Sequence, residues 1–145
     1  MLEFGDWFHI SLPGVILATV VGQIVSILWF GPLFSRQWLK YCRWNYEEAM
    51  EIIDKNHREK RPLYFSFLEH FVNMLIMGVL IHNVNITTVY GAMGFAALMW
   101  FGFMATVSIN EVLWHGEKFE FYVLNQACYF VRSLAMAASY AYVAL

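Results

Sequence analysis

LWFGPLFSRQWLK, residues 28–40, decides how the chain is read. It closes an uncharged stretch that begins at Leu12. Within it Gly31 and Pro32 interrupt the helical pattern, and Arg36 and Lys40 are the first positive charges in the sequence. Pro removes a backbone donor and Gly weakens a helix, so the segment reads as the end of one helix and a turn in direction. The following mixture of cations with Trp38, Tyr41 and Trp44 suits a helix lying at a membrane interface.

Working outward, composition says why a membrane is the right frame. Of 145 residues, 60% are hydrophobic and only 14% charged, too apolar for an ordinary soluble domain. A bilayer-spanning helix needs roughly 20 mostly apolar residues, and four windows qualify: 12–34, 63–84, 86–109 and 121–145. The expected architecture is all-α: a single domain, residues 1–145, forming a four-transmembrane-helix bundle. A short interfacial helix, rich in aromatics and acids, precedes it, and a helical cytosolic loop, 35–62, joins spans one and two.

Seven of the nine basic residues (Arg36, Lys40, Arg43, Lys55, Arg58, Lys60 and Arg61) lie in that loop, and none precedes the first span. The positive-inside rule puts the loop on the cytoplasmic side and both termini on the other. Lys118, in the turn before the fourth span, falls on the loop's side. The N-terminus lacks a basic start and cleavage site, so the first span is expected to be retained. Asn45 followed by Glu48 reads as a capping box, and pairs Glu51–Lys55 and Asp54–Arg58 support a solvated helix. The basic loop, 36–61, is also a candidate contact for anionic lipid. Nothing in it suggests nucleic acid.

Small residues supply the packing expectation. Gly14, Ala18, Gly22 and Ser26 recur every four positions on the first span, with Gln23 beside them, and the fourth span has Ser133, Ala137 and Ala141. The third span carries Gly91, Gly94, Ala97, Gly102, Ala105 and Ser108, which predicts a central helix in tight contact with its neighbours.

Polar residues inside apolar helices must find partners. Ser66, Glu69, His70 and Asn73 share one face of the second span, and Asn125, Tyr129 and Arg132 one face of the fourth. Arg132 falls near the predicted bilayer midplane, where a charge costs roughly 2.5–3.5 kcal/mol, so a partner is required. Glu69 is the expected one, since a helical side chain leans toward its own N-terminus and brings Arg132 down toward it. Asn73 lies nearly level with Arg132 and is expected to complete a network of Glu69, His70, Asn73, Arg132 and Asn125.

The exit motif WFGPLFSRQWLK, the WNYEEAM after it and the run WFGFMATVSINEVLWHGEKFEFYVLNQACYF together resemble the family catalogued as domain of unknown function 1761. The resemblance covers nearly the whole chain and places Trp29, Gly31, Pro32, Trp38, Gly102, Phe103, Ala105, Thr106, Gly116 and Asn125 on signature positions. It implies a small four-span membrane protein with no established activity. Glu69, His70 and Arg132 stand outside that signature.

Chemistry beyond packing has little support in the residues. Glu111 and His115 have the spacing of a helical metal pair, and Glu69 with His70 offers another, but a site needs three or four ligands within reach. No metal or cofactor is expected. Cys42 and Cys128 have no redox or metal neighbours, and no catalytic motif appears, so the chain is not read as an enzyme. The turn sequon Asn85-Ile86-Thr87 lies too close to the bilayer to be a good glycan acceptor. The expected role is a structural or accessory subunit that assembles with itself or with other membrane subunits. The alternative is an oligomeric pore or carrier for a small solute, ion or proton, lined by Glu69, His70, Asn73 and Arg132.

Overall fold

The structure, a computed structural model, describes residues 10–145. The expected N-terminal interfacial helix lies almost entirely on residues 1–9, outside the described residues. Those described form seven α-helices: α1 (Leu12–Leu28), α2 (Ser35–Tyr41), α3 (Tyr46–Glu59), α4 (Arg61–Asn83), α5 (Val89–Met99), α6 (Thr106–His115) and α7 (Phe119–Ala144). A π-helical segment, Trp29–Leu33, continues α1, and a second, Trp100–Ala105, joins α5 to α6 into one long rod. Three stretches are long and apolar enough to cross a membrane: Leu12–Leu33, Arg61–Asn83 and Val89–His115.

Helix ends follow from local chemistry. The Ser11 hydroxyl accepts from the Gly14 amide at 3.3 Å and opens α1, with Pro13 in its first turn, where a missing N–H costs nothing. Thr88 caps α5 in the same way through Gly91 at 3.0 Å. Asn45 and Glu48 form the reciprocal box expected for α3. Gly116 ends α6 in the left-handed region.

Both π segments begin Trp-Phe-Gly, which the second span's continuous helix lacks. In the first, Pro32 cannot donate and the Phe34 amide reaches back five residues to the Trp29 carbonyl at 2.9 Å. The chain then leaves helical geometry at Phe34 before α2 begins. In the second, the Thr106 hydroxyl donates to the Gly102 carbonyl at 2.6 Å, and the Tyr122 hydroxyl of α7 donates to the Ala105 carbonyl at 2.7 Å. Side chains thus satisfy carbonyls in and beside the widened turn.

The hub is α7, which packs against α1 on one flank and α5 on the other, while α1 also packs against α4. Val15, Ala18 and Thr19 of α1, Met74 and Ile81 of α4, Ala92 and Ala96 of α5, and Met136, Ala137, Tyr140 and Ala141 of α7 are buried between them. The α1 stripe is a contact surface as expected. A Cβ on Gly22 would stand 2.5 Å from Met136 Sδ and 2.7 Å from His70 Cδ2, and one on Gly14 would stand 3.0 Å from Tyr140. Ala18 and Ala137 are fully buried beside them.

The third span departs from expectation. A Cβ on Gly94 or on Gly102 would meet nothing within 4 Å, and Leu98, Phe101, Phe103, Val107 and Trp114 are exposed along the same rod. It is a peripheral helix that contacts α7 through Ala92 and Ala96 and, further along, through the Trp100 ring, 4.7 Å from that of Phe130, and the Ala105 carbonyl. Its alanines, four apart, make the seam, and its glycines lie on other faces. Gly78 of α4 is a close-contact glycine that spacing did not single out; its Cβ would stand 3.0 Å from the Tyr140 ring and hydroxyl.

Candidate functional site

α1, α4 and α7 bring four polar side chains together inside the bundle. Arg132 points back along α7, as helical side chains do, and its side chain is only 9% exposed. Its Nη2 lies 3.2 Å from Glu69 Oε1, and its Nη1 lies 3.4 Å from His70 Nε2 and 3.5 Å from Ser26 Oγ. The guanidinium sits over the Tyr129 ring, 4.9 Å from its centre, one turn earlier on α7. The predicted contact between Glu69 and Arg132 is therefore present.

His70 is 1% exposed and joins the three helices. The Ser26 hydroxyl lies 3.0 Å from Nε2, and Arg132 approaches the same nitrogen. Both groups donate, so the arrangement is satisfied by a ring that accepts at Nε2 and carries its proton on Nδ1. That nitrogen lies 2.7 Å from Glu69 Oε2. The contact is short but poorly aligned for a hydrogen bond, since the two residues are neighbours on one helix and Nδ1 has no hydrogen-bond partner by angle. It sets the Nδ1–H dipole beside the carboxylate. Glu69 thus meets Arg132 with one oxygen and His70 with the other, yet its side chain remains 48% exposed on the outside of α4.

Two residues expected in this network lie elsewhere. Asn73 is exposed, one turn beyond Glu69, and lines a groove of about 220 Å³ between α4 and the third span, with Ser133 of α7 also lining it. The rotation of α4 places its side chain in this groove, outside the cluster around Arg132. Asn125 lines a cavity of about 200 Å³ at the other end of Tyr129, with Ser108, Glu111, Glu117 and Gln126. Tyr129 stands between Asn125 and the guanidinium.

Ser26 was legible only as a small residue on a stripe, and its hydroxyl turns out to be the α1 contribution to the cluster. Gln23, expected to bond across the stripe, accepts from the Ser66 hydroxyl of α4 at 3.1 Å. Glu111 and His115 pair with each other at 2.7 Å on an exposed face, and Cys42 and Cys128 are both buried free thiols.

The signature positions near the first exit are architectural. Trp29 packs on Phe34 with ring centres 4.5 Å apart, and Trp38 lies 6.1 Å from both Trp44 and Phe121, tying α2 to the start of α7.

The described residues, helical throughout their regular structure, hold three apolar helices of membrane-spanning length and a buried arginine paired inside the bundle, which makes this a membrane protein by class. It belongs to the family described as Protein of unknown function (DUF1761), whose model matches residues 13–140. No curated protein and no solved structure matches the chain.

Proposed function

We propose that the chain is a four-span subunit of a membrane oligomer, with α7 as the fourth span and the outer face of α4 as the contact between subunits. At 26 residues α7 is about 39 Å long, enough for a bilayer, and its Arg132 is turned toward α1 and α4 and its Asn125 toward α6 instead of lipid. The basic loop and Lys118 then share one side and both termini the other, in keeping with the positive-inside rule.

One observation carries the assembly reading. Glu69 is half-exposed and Asn73 exposed on a helix whose other outward residues are mostly apolar, among them Phe65, Leu68, Val72 and Ile76. A carboxylate and an amide directed at hydrocarbon are costly, whereas the same groups against another helix are satisfied. A second protein surface on α4 removes that cost. We assign the chain no catalytic step.

The test is the oligomeric state of the full chain in bilayer nanodiscs, read by single-molecule photobleaching. Wild type should bleach in several steps, and Asn73→Leu with Glu69→Gln should shift the population toward single steps while far-UV dichroism stays unchanged. A wild type that bleaches in one step at every density would overturn the proposal. Recovery with stoichiometric foreign subunits would favour an accessory role in a mixed complex. Ser26, His70 and Glu69 also form a polar line from the interior to the α4 surface, and proton leakage through reconstituted oligomers, abolished by His70→Phe, would favour the pore reading instead.

A further inference from the structure

We propose that α2 and the α6–α7 turn together form a binding face for the headgroup of anionic phospholipid, and that α3, despite its basic residues, is not part of it. The proposal is independent of the oligomer. It rests on a juxtaposition 78 residues apart in sequence: Lys118 Nζ donates to the Lys40 carbonyl at 3.4 Å. Beside it Arg43 pairs with Glu117 at 3.6 Å, and Trp38 reaches Phe121. These contacts hold α2 on the turn, so Arg36, Lys40 and Lys118, all exposed, are gathered at one end of the bundle.

Depth and charge both point to a lipid headgroup. α2 begins two residues after the membrane-length helix Leu12–Leu33 ends, and Lys118 comes three residues after Val89–His115 ends. Both therefore emerge where apolar helix gives way to the headgroup layer. α2 has no acidic residue. Of the nearby acids, Glu117 is held by Arg43, and Glu120 follows Lys118 by two positions in the first turn of α7. Lys40 lies over the Tyr41 ring and Arg43 over the Trp44 ring, so aromatic groups that favour the interface hold the cations at its level.

α3 is different. Its Lys55 and Arg58 are outnumbered by Glu47, Glu48, Glu51, Asp54 and Glu59, and Arg61 beyond it is 3.7 Å from Glu59. An anionic surface gains little there.

The experiment measures lipid retention by the full chain in mixed micelles, using native mass spectrometry, with phosphatidylglycerol, phosphatidylcholine and inorganic phosphate as separate probes. Wild type should retain phosphatidylglycerol over phosphatidylcholine. The triple variant Arg36→Gln, Lys40→Gln, Lys118→Gln should lose roughly 100-fold in apparent affinity, at about fivefold per cation, while Lys55→Gln with Arg58→Gln on α3 should change little. Equal retention by wild type and the triple variant overturns the proposal, as does an equal loss in the α3 variant. Thermal protection by inorganic phosphate equal to that by phosphatidylglycerol would mean an ion site, not a lipid face. Should the triple variant not fold, wild-type retention decides: it must weaken steeply as salt is raised, and salt-independent retention overturns the proposal.

Discussion

The two flanks of α7 are built from the same small residues to different ends. On the α1 flank, Gly14 and Gly22 are close-approach positions into which Tyr140 and Met136 fit, and the polar cluster of Ser26, His70, Glu69 and Arg132 sits at the end of the same seam. On the α5 flank the contact is made by Ala92 and Ala96, while Gly94 and Gly102 look into open space and Gly102 lies within a π turn. Small residues at helical spacing therefore mark a seam only when a neighbour's large side chain fills the space they leave. Elsewhere they loosen the helix that carries them.

The sharpest way to break this comparison is through the charge on the α1 flank. Arg132→Met removes the cation and leaves Glu69 beside His70 with no guanidinium. Losing one member of a buried pair costs roughly 3–5 kcal/mol, and because Glu69 is half-exposed the expected loss is smaller, about 2 kcal/mol. Glu69→Gln alone should cost less, and the two together less than their sum. Thermal unfolding in detergent, followed by circular dichroism, gives the double-mutant cycle. Strict additivity would mean that the 3.2 Å contact carries no coupling. An equal effect from substituting Ser133, which lines the groove between α4 and the third span, would erase the difference between the flanks.

Next in size is Gly22→Ala. The new Cβ needs room that Met136 can yield but the His70 ring, held by Ser26 and Arg132, cannot. A loss of about 1 kcal/mol, at the low end of the overpacking range because Met136 can yield, is expected, read as a fall in the unfolding midpoint. An unchanged midpoint would show that α1 and α7 are free to move apart.

These particulars explain what could be read from sequence. Gly22 and the pairing of Glu69 with Arg132 were legible because each follows from one helix's period and one rule about depth, whereas Ser26 was legible as a stripe position and its hydroxyl contact was not. Asn73 was not, because level along a helix says nothing about which way the neighbouring helix is rotated. The four-residue repeat on the first span and the glycines on the third look alike until the partner's Met136 and Tyr140 are placed. The Trp-Phe-Gly start common to both π segments was visible, but only Pro32 gave a physical reason for a break. The second segment has no proline, and the Thr106 and Tyr122 hydroxyls that serve its carbonyls lie outside it.

The smallest effect tests the other half of the comparison, and its sign matters more than its size. Gly94→Ala adds a methyl that meets nothing within 4 Å, in a helix interior where glycine costs roughly 0.5–1 kcal/mol relative to alanine. The variant should be more stable than wild type by a few tenths to 1 kcal/mol, opposite in direction to Gly22→Ala. If both alanines destabilise, Gly94 is covered in the assembled protein by a surface that the single chain lacks. Repeating the measurement with the Glu69 and Asn73 variants, which should dissociate the oligomer, would then separate the two cases. A loss at Gly94 that vanishes in that background places the third span at the subunit contact, whereas one that persists belongs to the bundle itself.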